Sequence, residues 1–402
     1  MNKEEVAIIG GCGHVGLPFG IVLANVGYVV KAIDLDLEKI EKVNRGEMPF
    51  IEFESEIPLK KAIQNQKFIA TADTNLITNA ETVVVIVGTP IDEYLNPKPM
   101  EILRTLENLK SKFVAGQLII LRSTVYPGVT KVVEKWFKEL GESFDVVFCP
   151  ERIAQGFAMS ELSELPQIIG SRNPRSAKRA EDFFIKLGCK IIHCNPEEAE
   201  LSKLYTNVWR YIKFAAANDF FKLANDFGVN YEKIRNIVTQ DYPRAADLPS
   251  QGFTAGPCLY KDSMQLLSFS KNNFSMAYSA MLTNEGLPQY IVELIEHDFS
   301  LQDSTVGIIG MSFKPNIDDS RASLSYKLKN ILEFKAKEVI YSDPYVTDQN
   351  IKPIEEVLVN SDLVIIGIPH DTYKDLKISK PCYDIWNLNR PGNMILKLKN
   401  ES

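Results

Sequence analysis

The chain has 402 residues, 45% hydrophobic and 24% charged, with a formal net charge of −7. That length predicts two or three domains, and the ordinary composition excludes collagen-like, disordered and disulfide-scaffold chains. No basic excess is present to drive nucleic-acid binding, so an anionic ligand needs a local basic pocket.

The opening Met1-Asn2-Lys3-Glu4-Glu5 is acidic where a secretion signal is basic, and it runs directly into an apolar strand, Val6–Ile9. Up to residue 150, apolar runs alternate with amphipathic stretches. Strands are expected at Tyr28–Ile33, Thr82–Val87, Leu118–Arg122 and Phe144–Phe148, and helices over Leu17–Val26, Leu37–Arg45 and Ile102–Phe113. This alternation predicts a parallel sheet covered on both faces. Its strand-end loops (Gly88-Thr89-Pro90, Ser123-Thr124 and Cys149-Pro150-Glu151-Arg152) should line one ligand crevice. From Glu197 to about Gly228 no interior Pro or Gly interrupts a helical pattern, which predicts one long helix. A punctuated loop, Asp241–Pro257, and further helices to about Phe299 follow. Alternation then restarts with strands at Thr305–Ile309, Glu338–Ser342, Asp362–Ile368 and Cys382–Trp386.

The expected fold is therefore α/β: two Rossmann-like, doubly wound parallel-sheet domains (1–196 and 301–402) joined by a long central helix and a helical middle domain (197–300). The helical spine is expected to carry a dimer interface. No apolar run approaches the roughly 20 residues that span a bilayer. Six scattered cysteines without a CxxC and four histidines without ligand spacing point to a reducing, cytoplasmic compartment and no metal.

Gly11-Cys12-Gly13-His14-Val15-Gly16 is a GxGxxG placed after a strand and opening a helix. Its glycines allow a tight turn, backbone approach to a pyrophosphate, and close helix packing. Asp34, at the end of the next strand, suits ribose hydroxyls and repels a 2′-phosphate, so NAD is expected rather than NADP. The second domain's equivalent turn, Gly310-Met311-Ser312-Phe313-Lys314, keeps only the first glycine, so side chains there should hold an anion. Cys258 lies in a small-residue turn, Gly256-Pro257-Cys258, with Lys261 and Asp262 just beyond it. The choice is between a nucleophilic thiolate and a small buried hydrophobe. Glu200, Lys203, Asn207 and Arg210 share one stripe of the long helix, either as an oxyanion and sugar-hydroxyl site or as the wet side of an amphipathic helix.

Taken together, six ordered motifs resemble the nucleotide-sugar 6-dehydrogenases, the family of UDP-glucose, GDP-mannose and UDP-N-acetylhexosamine dehydrogenases. They are the glycine loop, Ser123-Thr124-Val125-Tyr126-Pro127-Gly128, Pro150-Glu151-Arg152, Glu200-x-x-Lys203-x-x-x-Asn207, Gly256-Pro257-Cys258-x-x-Lys261-Asp262 and Phe313-Lys314-x-x-x-Asp318-Asp319-x-Arg321. The resemblance implies a four-electron, NAD-dependent oxidation of a sugar 6-hydroxymethyl to a carboxylate through a cysteine thiohemiacetal and thioester. It implies that Cys258 is the nucleophile, that Lys203 and Asn207 hold oxyanions, and that Asp262 orients water or moves a proton. Thr124 and Glu151 match residues near the reacting carbon, with Glu151 a candidate base. On the cofactor side it implies Gly11, Gly13, His14, Val15, Gly16, Asp34, Lys39, Thr89, Ser123 and Arg321. On the sugar side it implies Glu151, Arg152, Lys203, Asn207, Arg244, Gly256, Phe313 and Lys314, with Arg244 often reaching over from a partner subunit.

Two positions depart from the pattern: Tyr126 replaces a second proline and Pro257 a common glycine. Pro150-Glu151-Arg152-Ile153 and Asn316-Ile317-Asp318-Asp319 are similar to the N-acetylhexosamine branch, whereas Lys261-Asp262 is not. The expected substrate is UDP-N-acetylmannosamine or UDP-N-acetylglucosamine, with UDP-glucose or GDP-mannose the alternative. A 3-hydroxyacid dehydrogenase would not need Cys258 or residues 304–402, and a regulatory NAD-binding protein would not need Cys258, Lys203, Asn207 and Asp262.

Overall fold

The computed structural model describes residues 2–89, 92, 97–141, 143–254 and 256–388. Pro90 of the first expected crevice loop, and residues 389–402 of the expected last domain, lie outside the described residues. The chain packs as two compact units, Met1–Thr206 and Asn207–Ser402.

The first unit holds strands β1 (Asn2–Ile9), β2 (Val29–Ile33), β3 (Phe68–Thr71), β4 (Ala80–Val85), β5 (Leu118–Leu121), β6 (Asp145–Phe148), β7 (Gln167–Gly170) and β8 (Ile191–Cys194). They form one sheet in the order β3-β2-β1-β4-β5-β6-β7-β8. The first six are parallel and follow the dinucleotide-fold order. One expectation needs correction: β7 joins β6 antiparallel, through Phe148↔Gly170. Antiparallel neighbours need no crossover to the far edge, and the chain between β6 and β7 simply doubles back. Helices α1 (Gly16–Asn25), α2 (Leu37–Asn44), α3 (Glu56–Gln64), α4 (Glu101–Asn108), α5 (Val129–Glu139), α6 (Ala158–Glu164) and α7 (Pro174–Phe184) cover the sheet. Alternation along β1 builds the two cores. Val6 and Ile8 pack on one face with Phe19 and Phe184, and Ala7 and Ile9 pack on the other with Val133 and Phe137.

The long helix α8 (Pro196–Asp226) begins in the first unit and ends in the second. The second unit continues with α9 (Tyr231–Thr239), α10 (Leu259–Phe269) and α11 (Ser275–Asp298). Strands β9 (Thr305–Ile309), β10 (Glu338–Ser342), β11 (Leu363–Ile366) and β12 (Cys382–Asp384), with helices α12 (Leu324–Glu333) and α13 (Ile354–Asn360), complete it. This sheet is parallel, in the order β10-β9-β11-β12. Val306, Ile308 and Ile365 face Phe221, Leu287 and Ile291 of the helical part, so helices and sheet share one core. Apart from that one antiparallel step, the architecture is the expected one: two Rossmann-like parallel sheets and a central helix.

Candidate active site

In the first unit the glycine turn is built against backbone. A Cβ on Gly16 would lie 2.3 Å from the Gly10 carbonyl oxygen, so the protein itself demands glycine there. Gly11 is pressed onto β2 in the same way, its Cβ position 2.6 Å from the Ala32 Cα. Gly13 differs: nothing lies nearer than 3.6 Å, an ordinary contact distance, so the protein alone leaves room for a side chain. The bare backbone at Gly13 is what a pyrophosphate requires. Val15 precedes α1 and no side chain caps that helix; Leu17 N–H is taken by the Gly13 carbonyl at 3.0 Å, so it is the positive end of the helix dipole that favours a phosphate there. These features fit NAD.

Asp34 closes the cradle. Its Oδ2 accepts the Cys12 N–H at 2.9 Å, and its Oδ1 accepts Leu35 N–H at 2.8 Å and Asp36 N–H at 3.2 Å. Burial, with Asp34 adding to it, pushes the Cys12 thiol up to about 12. The His14 ring lies against Phe50, tilted, with centroids 4.1 Å apart, and Lys39 pairs with Asp36 at 3.1 Å. The loops after β4 and β5 are stitched together: Val87 N–H donates to Ser123 Oγ at 2.7 Å, and Thr89 Oγ1 donates to the Thr124 carbonyl at 2.6 Å.

The loop after β6 is organised by carboxylates. Glu151 Oε1 accepts the N–H groups of Arg152 at 2.7 Å and Ile153 at 3.1 Å, while its Oε2 meets the Arg122 guanidinium. Arg122 is 2% exposed; it also donates to Gln167 Oε1 at 2.9 Å and lies 4.1 Å above the Phe19 ring. Arg152 turns its guanidinium to the Pro166 carbonyl. From another loop, buried Glu52 accepts Gly156 and Ala158 N–H at 2.8 and 2.7 Å.

The stripe on α8 divides. Glu200 is buried and caps α5, its Oε2 accepting Gly128 N–H at 2.6 Å and its Oε1 accepting Thr130 N–H at 2.8 Å. Lys203 is half-buried and lies one turn before Asn207 on the same helix. Asn207 is buried in the second unit, where its Nδ2 donates to Asp262 Oδ2 at 2.6 Å. Arg210 is exposed. A single wet helix face does not describe these four residues.

Asp262 lies in the first turn of α10 and is fully buried. Its Oδ1 has no hydrogen-bond partner among the described residues and lies 3.6 Å from Lys261 Nζ. Cys258 begins that helix and is exposed, whereas Cys12, Cys149, Cys189 and Cys382 are buried. A helix start favours negative charge, which suits a thiolate. Gly256 has φ +106° and abuts Phe313, whose ring would lie 2.6 Å from a Cβ. This packing brings the cysteine turn against the segment that carries Phe313 and Lys314. Arg321 forks onto Asp319 through Nε at 2.9 Å and Nη2 at 2.6 Å. That bond raises the Arg321 pKa, and the Cys258 sulfur adds to it electrostatically. Arg244 is exposed and donates to the Tyr242 hydroxyl at 3.4 Å.

Two features escaped the sequence reading. Arg122 interrupts an apolar run, and a buried arginine calls for a carboxylate partner; that signal was present. Asp343, at the end of β10, repeats the Asp34 stitch. Its Oδ2 accepts Met311 N–H at 2.6 Å, as Asp34 accepts Cys12. Among the described residues, no group of three or more His, Cys, Asp or Glu side chains could hold a metal, and no helix is long and apolar enough to cross a membrane.

Comparison with known proteins covers nearly the whole chain. Three models of the UDP-glucose/GDP-mannose dehydrogenase family match in order: the NAD binding domain at residues 4–187, the central domain at 197–285 and the UDP binding domain at 307–390. A UDP-N-acetyl-D-mannosamine dehydrogenase of Pyrococcus horikoshii is 30% identical over 387 residues, 92% of this chain and 91% of the relative. The solved structure of a UDP-D-ManNAc dehydrogenase from the same organism is similar at TM-score 0.90 and 27% identity, covering 97% of each chain. A UDP-glucose dehydrogenase from Pyrobaculum islandicum has the same fold at TM-score 0.89 and 23% identity, covering 96% of this chain and 95% of that one. The matches account for a glycine cradle at one end and a thiol-bearing turn beyond the middle: the chain belongs to the UDP-glucose/GDP-mannose dehydrogenase family, as an oxidoreductase that uses NAD.

Proposed function

We propose that the chain oxidises C6 of UDP-N-acetylmannosamine to the uronic acid, a four-electron reaction using two NAD. The observation that carries the chemistry is the exposed Cys258 at the start of α10, with the buried Asn207–Asp262 pair in the same unit. The sugar assignment rests on the relatives named above and on the Pro150-Glu151-Arg152-Ile153 and Asn316-Ile317-Asp318-Asp319 segments.

When bound, NAD accepts the electrons of each oxidation round. Gly11, Gly13, Gly16 and the start of α1 would hold its pyrophosphate, and Asp34 its ribose, with Val15, His14, Lys39, Thr89 and Ser123 nearby in the chain's cofactor half. Cys258 adds to the aldehyde left by the first oxidation as a thiohemiacetal, which the second oxidation converts to a thioester; water cleaves it to the acid and frees the thiol. Lys203 and Asn207 donate to the oxygen on C6 as it gains charge. Asp262 has one carboxylate oxygen engaged by Asn207 and the other without a hydrogen bond, which suits it to orient a water or take a proton. Both Glu151 oxygens are occupied by Arg122 and backbone N–H groups, which favours an orienting role for Glu151 beside Thr124. Phe313 and Lys314 take the nucleotide. A homodimer is supported by Trp209, Phe220 and Leu223, exposed large side chains on one face of α8, and by exposed Phe227 just beyond its end. Such a dimer gives Arg244 a substrate to reach.

The test is NADH formed per nucleotide sugar consumed across UDP- and GDP-sugars. Two NADH with UDP-N-acetylmannosamine is the expected result. One NADH refutes the covalent mechanism, and turnover of UDP-glucose alone refutes the sugar. Cys258→Ser should abolish acid formation while leaving NAD binding intact.

A further inference from the structure

One buried titratable side chain of the second unit has no part in the chemistry above. His370 follows β11, is 0% exposed, and meets the rings of Tyr345 and Tyr373 at 5.0 and 5.3 Å. Its Nδ1 accepts the backbone N–H of Asn316 at 2.9 Å. A ring nitrogen that accepts carries no proton, so the proton is on Nε2. Nε2 donates to Asp343 Oδ2 at 3.0 Å. Asp371, the next residue, clasps the same asparagine: Asn316 Nδ2 donates to Asp371 Oδ2 at 2.6 Å, and Asp371 N–H donates to Asn316 Oδ1 at 3.0 Å.

The segment Met311–Asn316 is thus bonded at both ends. Asp343 takes Met311 and Ser312 N–H at 2.6 and 3.1 Å, and His370 with Asp371 takes Asn316. Between these anchors lie Phe313 and Lys314. Asn316 has φ +60°, a left-handed conformation that asparagine adopts more readily than most residues other than glycine. Three hydrogen bonds hold it there, and of these the His370 bond is the one made by the backbone N–H. Without that bond the far end of the segment keeps only the side-chain clasp of Asn316 with Asp371, and its backbone is no longer fixed.

We infer that His370 is a positioning residue for nucleotide-sugar binding: its Nδ1 fixes the backbone at Asn316 and thereby the reach of Lys314. The inference rests on the reading that the Phe313–Lys314 segment takes the nucleotide. Two substitutions separate the two faces of the ring. His370→Asn keeps an acceptor near the position of Nδ1 and loses the donor to Asp343; His370→Gln keeps the donor and loses the acceptor.

The experiment is calorimetric titration of the full-length protein with UDP and, separately, with NAD. Loss of a buried hydrogen bond to the segment should weaken UDP binding by about tenfold in His370→Gln, with His370→Asn within about threefold of the wild type. KM for the nucleotide sugar should follow the UDP affinity while kcat holds. NAD affinity should be unchanged in both variants, a result that general misfolding would not leave. Wild-type UDP affinity in His370→Gln, or weakening confined to His370→Asn, overturns the inference. A wild-type protein that binds NAD but not UDP overturns the reading of the segment, and the inference with it.

Discussion

Alanine at two glycines of one turn should give opposite phenotypes. At Gly16 a Cβ would sit 2.3 Å from the Gly10 carbonyl oxygen and 3.0 Å from the Gly11 Cα. Both neighbours are backbone and cannot rotate away, so the turn must move by roughly 1 Å, and overpacking of this kind costs about 1–3 kcal/mol. For a unit of this size that lowers the melting temperature by several degrees, roughly 2–4 °C per kcal/mol. At Gly13 the nearest atom is 3.6 Å away and the backbone is not left-handed, so alanine fits the protein without strain. Gly13→Ala should therefore melt within about 1 °C of the wild type yet bind NAD at least about tenfold more weakly, because its methyl group occupies the line of approach of the pyrophosphate. Scanning fluorimetry and NAD titration on the same preparations read both effects, and UDP titration reports on the second unit as a control. Normal NAD affinity in Gly13→Ala, or an unshifted melt in Gly16→Ala, would refute the reasoning.

Two further outcomes follow from burial. Limited iodoacetamide at pH 8 should alkylate Cys258 at least about a hundredfold faster than Cys12, since a thiol pushed up to about 12 is roughly one part in ten thousand thiolate at that pH; peptide mass mapping reads the ratio, and equal labelling would count against it. Burial alone would raise Asp145, but bonds from Ser176 at 2.7 Å and Arg179 at 2.6 Å outweigh it and hold the carboxyl below its usual range. Its stabilisation is thus present above the ordinary aspartate value of about 3.9 and is lost as pH falls through the lower folded-state value. Asp145→Asn should cost about 2–3 kcal/mol in urea unfolding at pH 7 and less near pH 3, whereas an equal loss at both pH values would contradict the assignment.

The elements legible in the sequence were those whose environment is the same along their length. Central parallel strands are buried on both faces and read as continuous apolar runs, and Thr305–Ile309, fully buried, has the expected bounds. Phe68–Thr71 and Ile191–Cys194 are sheet-edge strands of four residues with exposed positions, too short to show a period, and neither was anticipated. The direction of β7 depends on how the chain returns after β6, which apolar spacing does not encode. The glycine cradle with Asp34 was readable because its chemistry is local in the chain. Glu200 was not, because its partners Gly128 and Thr130 lie 72 and 70 residues earlier, and nothing near Glu200 distinguishes a cap from a solvated carboxylate. The Gly256–Phe313 contact likewise joins distant segments; their motifs were visible separately, their packing was not.

The Glu200 cap also bears on how the first unit is made. During synthesis the ribosome releases α5 well before residue 200, so the start of that helix waits about 70 residues for its acceptor, and the nucleotide-binding half matures only once α8 has begun. Excision follows the same logic. A fragment that stops at the foot of α8 leaves two amide hydrogens of α5 without their carboxylate, whereas one that runs through Thr206 carries its own keystone.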